Sequence, residues 1–319
     1  MRSPPGRFGG KRKLANAIAQ ELGKHTQYYE PFCSSMAVLF AKNPSQKETV
    51  NDLHGDLINL ARVLQVQSLA EDLYDRCQRA IVSEGLLNDA KAYLKANPLP
   101  DPDLNDVERA YWYFLSSWMS RNGTAGTKRV DYQLAVRWTC GGGSPTVRWR
   151  NVVQSIPWFH ARLLNVVVLQ RDAFDFIHKF EDKKGTAVYV DSPYTAKTRE
   201  GYRGGKGSDH QYVHEFNHAA DHAFKPGRMF KEQCDVCGNT AQEHKSDHER
   251  LRDVLAQYKH ARIVVSYYDC EEIRELYDGW TFVKHTRQKH MHSAGGRGRR
   301  PREAKEVLII NGKSYGSAA

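Results

Sequence analysis

The strongest constraint on the fold is an alternation of helical and strand-like patterns at both ends of the chain. Three helical patterns alternate with two strand-like segments, at 26–32 and 48–53, within residues 13–66. Apolar, β-branched runs at 165–169 and 186–190 resume the alternation. Strands that alternate with helices pair in parallel through crossover helices. The sequence therefore predicts an α/β fold built on a largely parallel sheet.

The rest of the chain reads as a helical middle and a closing α/β segment. Residues 67–120 are predicted to be helical, with a proline-rich break at 97–103, and 121–150 to be a basic, loop-rich stretch. Further helices are predicted at 249–259 and 271–277, and further strands at 262–268, 281–285 and 306–310. The stretch 286–305 is rich in Arg and Gly and poor in apolar residues, so we expect a mobile loop there.

The composition and charge of the chain indicate which class of partner it binds and in which compartment it lies. The 47 Lys and Arg residues exceed the 37 Asp and Glu residues, and the formal charge of +10 favours a polyanionic partner. No apolar run approaches the ~18 residues of a membrane span, and residues 1–13 lack the apolar segment of a secretory signal. Six cysteines in 319 residues do not indicate a disulfide framework. We expect a cytosolic protein with no membrane partner.

The first candidate site is a tight turn after the strand at 26–32. It reads Glu30-Pro31-Phe32-Cys33-Ser34-Ser35, and the next strand ends at Asn51-Asp52. An acid placed about 20 residues after such a turn can accept hydrogen bonds from ribose hydroxyls, as in proteins that bind nucleoside-containing cofactors. The alternative is an ordinary loop followed by an acid that caps a helix.

A second candidate, Phe8-Gly9-Gly10-Lys11, comes just before the first helix. Backbone NH groups and a lysine at a helix N-terminus favour an anion. The spacing differs from that of a P-loop, and Arg12 stands where a Ser or Thr would hold magnesium. The alternative is a flexible basic terminus.

The most specific signal is Asp191-Ser192-Pro193-Tyr194, which follows the wholly apolar run 186–190. An amino group conjugated to a ring is a poor nucleophile. A carboxylate and a backbone carbonyl that accept hydrogen bonds from its two NH groups would move it toward the tetrahedral geometry that attacks a methyl group. The tyrosine would stack on the ring. The alternative is a simple turn.

Taken in order, these motifs resemble the alpha-type DNA adenine-N6 methyltransferases. The similar stretches are 8–11, 28–40, 51–59, 171–177 and 190–199, with DHERL, VVSYYD, LYDGW and EVLIIN later in the chain. The resemblance implies a Rossmann-like sheet that binds S-adenosylmethionine (SAM). It also implies direct methyl transfer to an adenine that is flipped out of double-stranded DNA, by a cytoplasmic, prokaryotic or phage-encoded enzyme.

The resemblance also divides the chain into three parts. Residues 1–85 would form the cofactor-binding half of the methyltransferase domain, and 161–319 its catalytic half. Residues 86–160 would form a helical and loop-rich target-recognition region inserted between them.

The family's functional residues carry over by position. For SAM, from the methionine end to the adenine ring, they are Phe8, Gly10, Lys11, Glu30, Pro31, Phe32, Asp52 and Asp172. For the base they are Asp191, the carbonyl of Ser192, Pro193 and Tyr194. Two positions depart from the family. Ser34 replaces the usual glycine, which would strain the turn and weaken SAM binding if the position needs a positive φ. Ser192 replaces the first proline of the common Asp-Pro-Pro-Tyr, which removes stiffness but keeps the carbonyl.

The target-recognition region supplies candidate DNA contacts. They are Arg121, Asn122, Lys128, Arg129 and Arg148. Four tryptophans, Trp112, Trp118, Trp138 and Trp149, lie among them and could fill the gap left by a flipped base. The alternative is that the tryptophans form the core of a small helical lobe, as we expect for Trp112 and Trp118.

The insert at 220–246 is predicted to bind a structural Zn²⁺. Cys234 and Cys237 have the spacing of a zinc knuckle and His244 follows them, with His222 or His248 as the fourth ligand. We favour His222, because His248 falls in the stretch that resembles a family helix, where a surface histidine is expected. A redox-active pair is not favoured, since the pattern of a strand before CxxC and a helix after it is absent.

Two other functions remain open from the sequence. One is a DNA-binding protein that kept the fold and lost catalysis, and the other is an RNA or protein N-methyltransferase with the same catalytic turn. No motif in the chain assigns a recognition sequence or a restriction nuclease as a partner.

Overall fold

The computed structural model describes residues 3–4, 10–97, 105–120, 133–136, 143–194, 246–288 and 303–316. They form one seven-stranded sheet with helices packed on both of its faces. Within these ranges, no helix has both the length and the apolar content to cross a membrane.

The sheet is mostly parallel, as predicted. Its strands are β1 (Gln27–Glu30), β2 (Lys47–Asn51), β3 (Val166–Leu169), β4 (Thr186–Val190), β5 (Arg262–Tyr268), β6 (Thr281–Gln288) and β7 (Glu303–Ile310). They lie in the order β3-β2-β1-β4-β5-β7-β6, and β7 runs antiparallel to both of its neighbours. The predicted loop at 286–305 is wrong at both ends, because β6 and β7 stay paired as far as Gln288 and Glu303. A backbone ladder can extend beyond the apolar residues that predict it.

Helices are present in the predicted segments 13–66, 67–120, 249–259 and 271–277, and six described helices follow one another between β2 and β3. The described helices are α1 (Ala15–Leu22), α2 (Ala37–Ala41), α3 (Gly55–Gln65), α4 (Gln67–Arg79), α5 (Glu84–Ala96), α6 (Val107–Met119), α7 (Pro145–Val153), α8 (Ile156–Leu163), α9 (Ala173–Ile177), α10 (Asp247–Ala256) and α11 (Glu271–Leu276). The predicted loop at 121–150 is wrong from Pro145 onward, where α7 begins. Ser144 caps α7 by accepting the backbone NH of Val147 at 3.3 Å, and proline suits a first helical turn.

Two hydrophobic clusters cover the two faces of the sheet. Alternate residues of β4 belong to different clusters, since Tyr189 lies in one and Val188 and Val190 lie in the other. Helices α1 to α8 contribute to the first cluster, and α9 to α11 contribute to the second. The helical middle of the chain therefore shares one hydrophobic core with β1 and β2.

Candidate active site

The candidate site lies where the order of the strands reverses. β1 pairs with β2 on one side and with β4 on the other, all in parallel. Crevices at such a point, beyond the carboxyl ends of the strands, are where open α/β sheets bind ligands. Glu30 ends β1, Asp52 follows β2, and Asp191 follows β4. The predicted cofactor turn and the predicted catalytic turn thus face the same crevice.

Asp52 and Asn51 tie the loops on the cofactor side together. The Asp52 carboxylate accepts the backbone NH of Ser34 at 2.9 Å and that of His54 at 3.0 Å. The side-chain amide of Asn51 donates to the carbonyls of Pro31, at 3.1 Å, and Arg171, at 3.0 Å. No sequence motif predicts this role for Asn51, a buried amide at a strand end that bridges two neighbouring loops.

The turn after β1 is strained at the position where the family usually has glycine. Ser34 has φ 44° and Met36 has φ 54°, both in the left-handed region. A side chain in this region costs about 1–2 kcal/mol. The Ser34 side chain therefore carries this cost, and weaker SAM binding stays a prediction.

Glu30 is a buried carboxyl between two other acids. Burial raises its pKa well above the ordinary value, and the charges of Asp191 and Asp52 act in the same direction. The hydroxyl of Tyr28, which donates to it at 2.9 Å, and the charge of Lys42 both oppose the rise. A carboxyl in this setting ionises easily only when a cation lies beside it. A cationic ligand group therefore fits this position.

Lys11 occupies the catalytic turn. Its ammonium lies 3.0 Å from Asp191 Oδ1 and 4.7 Å from the centre of the Tyr194 ring. Both side chains of the ion pair are largely buried, at 6% exposure for Lys11 and 13% for Asp191. Lys11 is predicted to contact the methionine end of SAM. In this structure its ammonium instead takes the place expected for an amino group of the acceptor, between the carboxylate and the aromatic face.

Two neighbouring residues support the Asp191 carboxylate from the sheet. Ser266 on β5 donates its hydroxyl to Asp191 Oδ1 at 2.9 Å, and the Tyr189 hydroxyl lies 3.0 Å from Ser266 Oγ. Since Ser266 uses its proton on the carboxylate, Tyr189 donates to Ser266. Burial raises the pKa of Asp191, while Lys11 and the Ser266 hydrogen bond oppose that rise. Without Lys11 and Ser266 the Asp191 carboxyl would be far harder to ionise.

Ser192 and Tyr194 contact two tyrosines of β5, Tyr267 and Tyr268. Ser192 is buried and donates its hydroxyl to the Tyr267 hydroxyl at 2.8 Å. His248 Nδ1 lies 2.9 Å from the same oxygen. The ring of Tyr194 packs against Tyr267 and edge-on against Tyr268, so its orientation is fixed.

Asp172 caps a helix in this structure. Its Oδ1 accepts the backbone NH groups of Phe174, at 2.8 Å, and Asp175, at 3.3 Å, at the start of α9. It is exposed at the same sheet edge as Asp52. Its assignment to the adenine ring of SAM stays a prediction.

The tryptophans of the helical middle separate into two groups. Trp112 and Trp118 are partly buried against the first cluster, as expected. Trp149, considered as a filler of DNA gaps, is 6% exposed, donates to the Ala80 carbonyl at 3.1 Å and packs against Phe114. That hypothesis is wrong for Trp149, because its ring is core.

Arg148 lies in a basic cluster that includes Arg12, the neighbour of Lys11 in the chain. Its neighbour Arg12 lies 5.2 Å from the Trp118 ring. Burial and then the charge of Arg148 lower the pKa of Arg12, so the two cations are close. Lys11 adjoins Arg12 in the chain, which places this cluster beside the catalytic turn.

Several predicted residues lie outside the described ranges. They are Phe8, the DNA candidates Arg121, Asn122, Lys128 and Arg129, Trp138, and the zinc candidates His222, Cys234, Cys237 and His244. Within the described ranges, no group of three or more His, Cys, Asp or Glu residues could hold a metal. The expected surface position of His248 is wrong, because it is 3% exposed and bonds to Tyr267.

The strand order and the two turns at the carboxyl edge agree with the predicted α/β fold. A sequence model of the D12 class N6 adenine-specific DNA methyltransferase family matches residues 8–234, more than two thirds of the chain. The chain belongs to this family. The residues of β5 that contact Asp191 and Ser192 lie beyond the matched segment.

Comparison with solved structures includes the crystal structure of a SAM-dependent methyltransferase from Agrobacterium tumefaciens. It is 9% identical, with a TM-score of 0.30, and the match covers 94% of this chain and 59% of that chain. The present chain thus spans about three fifths of the length of that protein. Comparison with curated proteins gives no match.

Proposed function

We propose that the protein transfers a methyl group from SAM to the exocyclic N6 amino group of adenine in double-stranded DNA. The observation that carries the proposal is the position of the Asp191-to-Tyr194 turn, directly across β1 and β4 from the turn that contains Glu30. The family match supports adenine as the acceptor. The order of the motifs, from FGGK through the helical middle to Asp-Ser-Pro-Tyr, supports the alpha type.

The described residues fit SAM. A further cation beside Glu30 would, together with Lys42, oppose its raised pKa, and SAM carries both an ammonium and a sulfonium. When bound, SAM supplies an electrophilic methyl group. Glu30, Pro31 and Phe32 would line the methionine end, and Asp52 would hold the ribose while it fixes the Ser34 backbone.

On the acceptor side, the chain's own groups prepare the amine. The Asp191 carboxylate and the Ser192 carbonyl accept its two NH hydrogens, and Tyr194 stacks on the flipped base. Lys11 already lies beside Asp191 Oδ1 and the Tyr194 ring, so the arriving base would share these groups with it or displace it. The base forms no covalent bond with the protein on this account.

For DNA we propose phosphate contacts by Arg148 and Arg12, together with Arg121, Asn122, Lys128 and Arg129. The closeness of the Arg12 and Arg148 charges, beside the catalytic turn, supports this assignment. Cations held together are stabilised by a polyanion. A cytosolic location follows from a DNA substrate.

We also propose a structural Zn²⁺ held by Cys234, Cys237, His244 and His222. Two cysteines and two histidines complete the tetrahedron that zinc prefers. Metal analysis of the purified chain should find one zinc per protein, and less in Cys234→Ser. Equal, near-zero zinc in both would rule the site out.

The proposed reaction is tested by methyl incorporation from labelled SAM. Wild-type protein should label duplex DNA that contains adenine, in preference to RNA and peptides, and the product should be N6-methyladenine. Asp191→Asn should lower kcat by about 100-fold or more, since the lost acceptor acts in the transition state. The exposed Asp175→Asn is the control and should keep wild-type activity. DNA binding without incorporation would favour an inactive DNA-binding protein, and preferred labelling of RNA or peptide would replace the substrate.

A further inference from the structure

We propose that Ser192, Tyr267 and His248 are positioning residues, and that their hydrogen-bonded chain holds the catalytic turn in place of a second proline ring. The inference rests on the proposed methyl transfer. Neither Tyr267 nor His248 lies in the segment that the family model matches.

The hydrogen bond between Ser192 and Tyr267 arises because side chains alternate between the two faces of the paired strands β4 and β5. Asp191 continues the side of β4 that carries Tyr189, and Ser192 continues the side that carries Val190. On β5, Ser266 and Tyr267 likewise point to opposite faces. Asp191 therefore meets Ser266, and Ser192 meets Tyr267, as the distances of 2.9 Å and 2.8 Å record.

Two hydrogen bonds extend the chain into α10. Ser192 donates its proton to the Tyr267 hydroxyl at 2.8 Å, and His248 Nδ1 lies 2.9 Å from the same oxygen, with donor and acceptor set by the tautomer of the imidazole. All three side chains are at most 3% exposed. Buried hydroxyl chains strengthen each bond, and the loss of one member leaves the next one without its partner.

The consequence for catalysis lies in the carbonyl of Ser192. That carbonyl is a proposed acceptor for the amine, and it belongs to the residue whose side chain is anchored. Rotation of the Ser192 backbone would displace the carbonyl while the Asp191 carboxylate stays on Ser266. The anchor therefore acts on the rate of transfer more than on binding of SAM or DNA.

The decisive experiment is a double-mutant cycle on full-length protein, with methyl incorporation as the readout. Ser192→Ala and Tyr267→Phe should each lower kcat by about 10-fold, with KM for SAM and DNA changed by less than about 2-fold. Because both remove the bond between Ser192 and Tyr267, the double variant should lose about as much as Tyr267→Phe alone, and not about 100-fold. Multiplicative losses, or an unchanged kcat in Tyr267→Phe, would overturn the proposal.

Ser192→Pro supplies the rescue, since a proline ring fixes the backbone without a hydroxyl. It should recover most of the activity lost in Ser192→Ala, and Tyr267→Phe in that background should change kcat by less than about 2-fold. Equal losses from Tyr267→Phe in both backgrounds would contradict the proposed link.

A readout that does not need activity separates this inference from the proposed function. Amide hydrogen exchange at Asp191 and Tyr194 should be faster in Ser192→Ala and in Tyr267→Phe than in wild-type protein, and should slow again in Ser192→Pro. A wild-type protein that lacks methyl transfer but shows this pattern would refute the function and keep the anchor. Unchanged exchange in both variants would refute the anchor, whatever the activity.

Discussion

The two turns that face the crevice differ in how the chain holds them. The turn after β4 is fixed by side chains, because Lys11 and Ser266 bind Asp191 and Tyr267 binds Ser192. The turn after β1 is held in a strained conformation, with Ser34 and Met36 at positive φ. Each turn departs from the family at one serine. Ser192 makes a hydrogen bond with Tyr267, whereas Ser34 lies in a strained backbone conformation.

This difference predicts that substitutions in the β4 turn should lower activity, whereas some substitutions in the β1 turn should raise stability. In the β4 turn, each side chain that is removed leaves a buried partner unsatisfied, so function should fall. In the β1 turn, a residue that tolerates positive φ should relieve strain, so stability should rise.

The largest expected effect is that of removing the Lys11 cation. Lys11→Met leaves the buried Asp191 carboxylate without its ion pair, and Lys11 is one of the groups that keep its pKa down. Since Asp191 acts ionised, the acid limb of the pH profile of kcat/KM should move to higher pH. At neutral pH the loss should be about 100-fold. Lys13→Met, which removes an exposed cation two residues away, should leave the limb in place. An unmoved limb in Lys11→Met would show that the β4 turn does not depend on this pair.

The next effect concerns the carboxyl at the junction of the two turns. Burial and two neighbouring acids raise the pKa of Glu30, and a bound cation would lower it again. SAM affinity should therefore rise with pH while Glu30 is protonated, and binding should release a proton. Calorimetry in buffers with different ionisation heats measures that release. Glu30→Gln should bind SAM about 10-fold more weakly and release no proton. The exposed Glu181→Gln should match wild-type protein in both respects.

A smaller effect is expected from the hydroxyl behind Asp191. Ser266→Ala removes a hydrogen bond that lowers the pKa of Asp191. We expect kcat/KM to fall about 10-fold at neutral pH and the acid limb to move upward by less than it does in Lys11→Met. Ser117 is another buried serine, whose hydroxyl donates to the Phe114 carbonyl within α6, and Ser117→Ala is the matched control. If both variants lost activity equally, the hydroxyl would matter only for packing.

The sequence predicts the sheet better than it predicts the contacts between its turns. β-branched apolar runs such as 186–190 fix a strand, and an acid at its end then falls at the carboxyl edge. The contact between Ser192 and Tyr267 depends on the register of β4 against β5, which no local pattern encodes. The same holds for Lys11 and Asp191. Helix α7 was missed because Arg148 and Arg150 hide the apolar spacing of Trp149 and Val153.

The smallest effect, and the sharpest contrast between the turns, concerns Ser34. Its NH binds Asp52 at 2.9 Å and its φ is 44°, a conformation that glycine adopts without a Cβ penalty. Ser34→Gly should therefore raise the free energy of unfolding by about 0.5–1 kcal/mol, after the entropy that glycine adds to the unfolded chain is subtracted. Ser34→Gly should also tighten SAM binding, because Asp52, the proposed ribose ligand, could then hold the backbone NH of residue 34 without straining the turn.

Ser35→Gly is the matched control. Ser35 is buried and has no positive φ, so glycine there should lower stability by about 0.5–1 kcal/mol. Denaturant titration of the three proteins measures both changes. Equal destabilisation by the two glycines would mean that the β1 turn stores no strain at Ser34.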